Sequence, residues 1–174
     1  MIRLVAAILV VSVFTACDSL SPVESADELE QVESASTSEL DLVSLVNAAR
    51  ATARSCGASQ HAATSPVTWN SKLATAAQSH SEDMAFGDFF SHTGSDGSTV
   101  ADRVTATAYS WRTVGENIYG GYTEAERAMT AWLDSPGHCR LIMDPNFKEV
   151  GMAVVFNSTS TYQSYWTQVF GAQR

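Results

Sequence analysis

Three short motifs carry the side chains best suited to chemistry: Phe90-Ser91-His92-Thr93-Gly94, Val114-Gly115-Glu116-Asn117-Ile118 and Ser135-Pro136-Gly137-His138-Cys139. Each sets a proton-transferring or metal-capable side chain near a glycine. That predicts three turns, which bring polar groups to a surface rather than into a core. Two histidines and a glutamate on three such segments predict one composite site. Neutral imidazoles are the commonest ligands for Zn²⁺ and similar ions. Two His with one carboxylate, leaving open positions, is a catalytic zinc arrangement. The same imidazoles would equally serve as hydrogen-bonded residues that fix a loop, and both readings stay open. Ser91 adjoins His92, but neighbouring residues rarely align as nucleophile and base, and no nucleophile elbow is present. His80 reads as a packing residue on a helix, and His61 carries no signal.

The elements that must position these residues follow from periodicity. Leu42, Leu45, Val46, Ala49 and Ala53 recur at helical spacing, predicting a helix over Glu39–Arg54 capped by Ser38 and ended by Gly57. A loop is expected from Ser59 to Pro66. Asn70 or Ser71 caps a second helix to Phe86, with Leu73, Ala76, Ala77, His80, Met84 and Ala85 facing inward. A short helix after Gly97 carries Val100, Arg103 and Val104. Another covers Thr123–Leu133, and a helical turn after Pro136 holds His138, Leu141 and Ile142. Glu149–Phe156 and Tyr162–Phe170 alternate as strands around a polar turn, which makes a hairpin. Tyr165 and Val169 would face one side of it, Trp166 and Phe170 the other. Trp111–Ile118 reads as another strand or an irregular crossing. Helices followed by a hairpin predict an α+β fold with a mostly antiparallel sheet.

The N-terminus bears on where the site works. Leu4 to Ala16 is a run of thirteen mostly apolar residues behind Arg3. It is too short to span a bilayer, which needs roughly 20, and has the pattern of a signal peptide. Phe14-Thr15-Ala16-Cys17 resembles a bacterial lipobox. That implies cleavage after residue 16 and a lipid on Cys17; ordinary cleavage leaving a free thiol is the other reading. Eight acidic residues and no Lys or Arg lie between Asp18 and Asp41, with no aromatic residue. Such a stretch cannot bury enough apolar surface to order itself. The expected division is therefore a leader over 1–16, a lipidated acidic linker over 17–38 and one domain over 39–174. The linker supplies most of the formal charge of −9. The domain is close to neutral and has no basic stripe, which excludes a nucleic-acid surface.

Three cysteines are present. If Cys17 carries lipid, Cys56 and Cys139 remain, and an even remainder in an exported protein reads as one disulfide. A Cys/His metal site at His138 and Cys139 fits less well. Adjacent residues seldom ligate one ion, and the spacing matches no zinc-finger pattern.

Val67-Thr68-Trp69-Asn70 with Leu73-Ala74, Phe90-Ser91-His92-Thr93 with Gly97, Gly115-Glu116-Asn117-Ile118, Trp132 with Ser135-Pro136-Gly137-His138, Val150-Gly151 and Tyr165-Trp166-Thr167-Gln168-Val169-Phe170-Gly171 together resemble the CAP domain. This superfamily includes cysteine-rich secretory proteins, antigen 5 and plant pathogenesis-related proteins, and the bacterial branch matches best. The resemblance covers nearly all of residues 39–172. It implies an α-β-α sandwich with a cleft lined by two His and two acidic residues. His92, Glu116 and His138 match three of these. At the fourth position the chain has Asp134 and Ser135, with Asp134 the candidate substitute. The family usually places its glutamates to hold the histidines, so Glu116 is expected as their hydrogen-bond partner or as a ligand. No cofactor is required; zinc or another divalent cation is the metal such a site would take, weakly.

The resemblance also implies binding of sterol, lipid, small ligand or protein; an envelope scaffold that binds glycan or a protein partner is a further reading. Tyr119 and Tyr122, flanking Gly120-Gly121, are expected in the ligand surface beside Asp134 and Ser135. The expected function is a membrane-anchored, extracytoplasmic binding module of a bacterial envelope. A metal-dependent envelope hydrolase, with Glu116 as its candidate catalytic residue, is the alternative.

Overall fold

The computed structural model describes residues 41–174. The leader, Cys17, the linker and the proposed Ser38 cap lie outside the described residues. Helix α1 covers 41–50. There follow β1 (Arg54–Cys56), β2 (Ser59–His61), β3 (Thr68–Trp69), α2 (Ser71–Gly87), α3 (Val100–Ala106), β4 (Trp111–Gly120), α4 (Ala125–Asp134), α5 (Pro136–Ile142), β5 (Glu149–Phe156) and β6 (Ser164–Gln173). The main sheet has strand order β3-β5-β6-β4, parallel only between β3 and β5. β4 is thus an edge strand.

The expected α-β-α sandwich is present. Tyr165 and Val169 face α2, packing with Met84 and Ala85 and with Leu73, Ala76 and Ala77 respectively. Trp166 and Phe170 face the other way, into the core formed with Val46 of α1, Ala128 and Trp132 of α4 and Ile142 of α5. The period of two along β6 thereby feeds two cores. Each fully buried Leu, Met or Phe in them contributes about 1.5–3 kcal/mol.

Local chemistry sets the element ends. Asn70 caps α2, its Oδ1 accepting from the backbone N–H of Lys72 at 3.0 Å and Leu73 at 3.3 Å. Thr99 and Asp102 form a capping box on α3. Gly151 lets α2 lie directly on the sheet: a Cβ there would stand 2.0 Å from the Ala74 nitrogen.

Several expectations change. α1 ends at residue 50, not Arg54, because Arg54–Cys56 pairs with Ser59–His61 in a small hairpin. Gly57, at φ +64°, makes its turn, so part of the expected loop is strand. Trp111–Gly120 is a regular strand with one irregularity between Trp111 and Thr113. The last strand starts at Ser164 rather than Tyr162 and continues to Gln173, and α4 spans Ala125–Asp134 rather than Thr123–Leu133.

Cys56 and Cys139 form a disulfide, with Cα atoms 5.4 Å apart. Cys139 is therefore no metal ligand. Near the other end of α5, the fully buried Arg50 donates to the carbonyls of Ser65 at 2.8 Å, Ile142 at 2.6 Å, Asp144 at 3.0 Å and Phe147 at 3.3 Å. A guanidinium fork can serve several carbonyls at once, including one at the C-terminus of α5. Bridge and guanidinium together fasten the helix that carries His138.

Candidate functional site

Of the three motifs expected in turns, one is a loop. His92 follows α2 in the segment leading to Thr99. Glu116 instead lies within β4, and His138 lies in the first turn of α5, where Pro136 occupies N1. The glycine of the second motif answers a packing demand: a Cβ on Gly115 would stand 2.6 Å from Leu141 Cδ1.

Glu116 points toward α2 and α3. Its side chain is only 2 % exposed. Oε1 accepts from His92 Nδ1 at 2.8 Å and Oε2 accepts from Arg103 Nη2 at 2.7 Å. Arg103 also donates to the carbonyls of His92 at 3.1 Å and Ser98 at 2.8 Å. One guanidinium thus holds both the acid and the loop. An Nδ1–H committed to Glu116 turns Nε2 of His92 outward, on a ring whose side chain is 56 % exposed. An open cleft of about 340 Å³ adjoins it, lined by His92, Thr93, Thr99, Val100 and Glu116.

His80 stands behind this pair. It is fully buried, with Nε2–H donating to the Ser91 carbonyl at 2.8 Å and lying 3.8 Å from Glu116 Oε1. Burial lowers its pKa; the Glu116 carboxylate opposes this and the Arg103 guanidinium adds to it. A packing role alone was expected, yet His80 holds the peptide just before His92. In sequence, Arg103 likewise belongs only to a helical stripe. Its signal was a charge amid Val100 and Val104, since a buried Arg is almost always paired.

His138 comes from the opposite layer. Asn117 points away from Glu116, donating to Gln168 Oε1 at 2.9 Å and to the His138 carbonyl at 3.5 Å. Because β4 is the sheet edge, groups from both layers can meet around it. Burial, and then the nearby His92, push the His138 imidazole below the ordinary histidine value. Among the described residues no group of three or more His, Cys, Asp or Glu is arranged to hold a metal ion.

None of Tyr119, Tyr122, Asp134 and Ser135 is among the residues lining the cleft beside His92. Asp134 lines a separate cleft of about 270 Å³ with Tyr122, Arg127, Thr130 and Ala131. Ser135 joins α4 to α5 with no side-chain capping bond. Tyr119 and Tyr122 stack with centroids 5.9 Å apart, and the Arg127 guanidinium lies 4.8 Å from the Tyr122 centroid. Ser91 Oγ accepts from Thr93 N–H at 3.0 Å, while the His92 ring turns to Glu116. No serine–histidine pair is formed there.

A model of the cysteine-rich secretory protein (CAP) family matches residues 43–170. The uncharacterized protein YkwD of Bacillus subtilis is 31 % identical over 137 residues, covering 79 % of this chain and 48 % of that protein. The uncharacterized membrane protein YlbC of the same organism is 29 % identical over 102 residues, 59 % of this chain and 28 % of its own length. The chain thus spans less than half the length of these curated relatives. An extracellular SCP-domain protein from Bacillus anthracis superposes with a TM-score of 0.66 at 24 % identity, over 88 % of this chain and 45 % of that one. An outer surface protein of Borrelia burgdorferi superposes with a TM-score of 0.61 at 15 % identity, over 87 % of this chain and 97 % of that one.

Proposed function

The chain belongs to the cysteine-rich secretory protein (CAP) family, and from that premise we propose that it is an extracytoplasmic binding module, tethered to a bacterial envelope through Cys17. The disulfide supports an oxidising compartment. The extracellular and outer-surface descriptions of the two structural neighbours point the same way.

One observation carries binding over turnover: both oxygens of Glu116 are already engaged, by His92 and by Arg103, on a nearly buried side chain. A general base must reach a substrate proton. Here the carboxylate is spent on holding the imidazole in place, and the open cleft beside His92 is a rigid surface for a small ligand. The donor set also fits a divalent cation only modestly. His92 Nε2 and His138 would hold it, with Glu116 orienting His92. Two imidazoles give weak, reversible binding, and such an ion would supply a Lewis-acidic contact for the ligand.

Native mass spectrometry of the protein extracted in detergent from its source envelope tests this reading. Expected are an acyl mass on Cys17 and a co-purified ligand, lipid, glycan or small molecule, that is lost in Thr93→Trp, which fills the cleft from an exposed position. Turnover of an envelope substrate that vanishes in Glu116→Gln while the fold survives would establish the hydrolase instead.

A further inference from the structure

All the large apolar side chains exposed among the described residues sit at one pole of the sheet. They are Phe86 (72 %), Phe156 (56 %), Tyr122 (43 %), Phe90 (42 %) and Tyr162 (41 %). β4 and β5 end there and β6 begins there: Gly120 pairs with Tyr165, and Phe156 with Ser164. The end of α2 is bonded to the same pole. Asn157 Nδ2 donates to the Ala85 carbonyl at 2.8 Å, and the Thr161 N–H to Asp88 Oδ1 at 2.7 Å. Phe90 packs on Tyr162 with centroids 5.2 Å apart. Tyr122 is held there through its carbonyl, which accepts from Ser164 Oγ at 2.7 Å and Trp166 Nε1 at 2.8 Å.

We propose that this aromatic pole is a membrane-docking surface that rests in the headgroup layer of the bilayer to which the chain is tethered. The proposal rests on the tether read at Cys17. The exposed set is entirely Phe and Tyr, with no aliphatic member, and rings of this kind settle where apolar and wet environments meet. The five rings stand on a helix end, two loops, a strand end and a hairpin. Phe90 packs on Tyr162 and Tyr122 on Tyr119, so the rings are spread around a rim rather than gathered into one pocket, an arrangement a fluid surface accommodates better than a fixed partner does. The chain between Cys17 and residue 41 can extend about 80 Å, so the tether lets either pole meet the membrane, and the rings select this one. Docking would hold the His92 loop, which continues from Phe90, close to the lipid surface.

The test uses the full chain reconstituted in phosphatidylcholine vesicles brominated near the headgroup. Phe86→Trp reports the pole. Lys148→Trp, exposed at the opposite end of β5, reports the far side. Emission added at position 86 should fall about twofold relative to unbrominated vesicles, and equally at high salt, since uncharged rings are not screened. Emission added at position 148 should not fall. Quenching at neither position, or equally at both, overturns the proposal. So does protection of position 86 that follows protein concentration, which would make the pole an interface between copies. Intact mass separates the two claims. An acylated chain without quenching at position 86 sinks the docking and keeps the tether; quenching with Cys17 unmodified does the reverse.

Discussion

The Arg103 guanidinium lies 2.7 Å from the Glu116 carboxylate, with both side chains more than nine-tenths buried. This pair turns a charged strand residue into a fixed support for His92. Removing one partner strands the other's charge in a place of little water. Arg103→Leu should therefore destabilise the fold by about 3–5 kcal/mol. Arg103→Lys should recover only part of this, because an ammonium cannot serve Glu116 and the His92 and Ser98 carbonyls in one planar fork. Urea unfolding of the three proteins decides it; equal midpoints would show the pair to be incidental.

The stability of the fold should decline in mild acid. His80 titrates below its ordinary 6.5 in the folded state, chiefly through burial. Between the folded and unfolded pKa values the unfolded chain binds more protons, so stability rises with pH there. Its contribution is complete above about pH 6.5 and is lost as pH falls through the folded value. His138 adds in the same direction. Urea midpoints measured from pH 8 to pH 5 should fall, and His80→Gln should flatten the curve. A parallel decline in that variant would assign the effect to other groups.

Two glycine substitutions should part in sign. Gly151→Ala puts a Cβ 2.0 Å from the Ala74 nitrogen and 2.4 Å from the Leu73 carbonyl carbon, both backbone atoms. α2 must lift from the sheet, costing about 3 kcal/mol or more. Gly137, in α5, has open space where its Cβ would be. Gly137→Ala should stabilise by about 0.5–1 kcal/mol. Thermal melts of both would expose an error in either reading.

The disulfide closes 83 residues. Replacing Cys56 and Cys139 together by Ser should cost about 2–4 kcal/mol, visible as a lower melting temperature that reductant no longer changes. Cys139 neighbours His138, so zinc titration of the variant should also show weaker binding. Unchanged zinc affinity would keep the stability claim and discard the link to His138.

Phe86→Ser with Phe156→Ser should leave the melting temperature within about 0.5 kcal/mol equivalent of the parent, since exposed positions carry little packing. A large loss would mean that these rings support the hairpin in the folded state.

The sequence by itself determined the layers. Alternation along Tyr165–Phe170 assigned two faces, and both cores lie where that alternation put them. Helical stripes located α2, α4 and α5 because burial repeats locally every three or four residues. The motif residues His92 and Glu116 were legible for their chemistry, and the even pair Cys56 and Cys139 for its bond. The tertiary structure alone decided what surrounds them. Glycine beside Glu116 suggested a turn, but Gly115 answers a contact with Leu141 that no local pattern encodes. Asp134 stands close in sequence to His138 yet lines a cleft with Tyr122 and Arg127, a placement that no local pattern encodes. Arg103 and His80 become part of the site only when α3 closes over β4 and α2 over β5 and β6. Periodicity reports which side of an element is buried, whereas pairing between distant side chains depends on how the layers are set against one another.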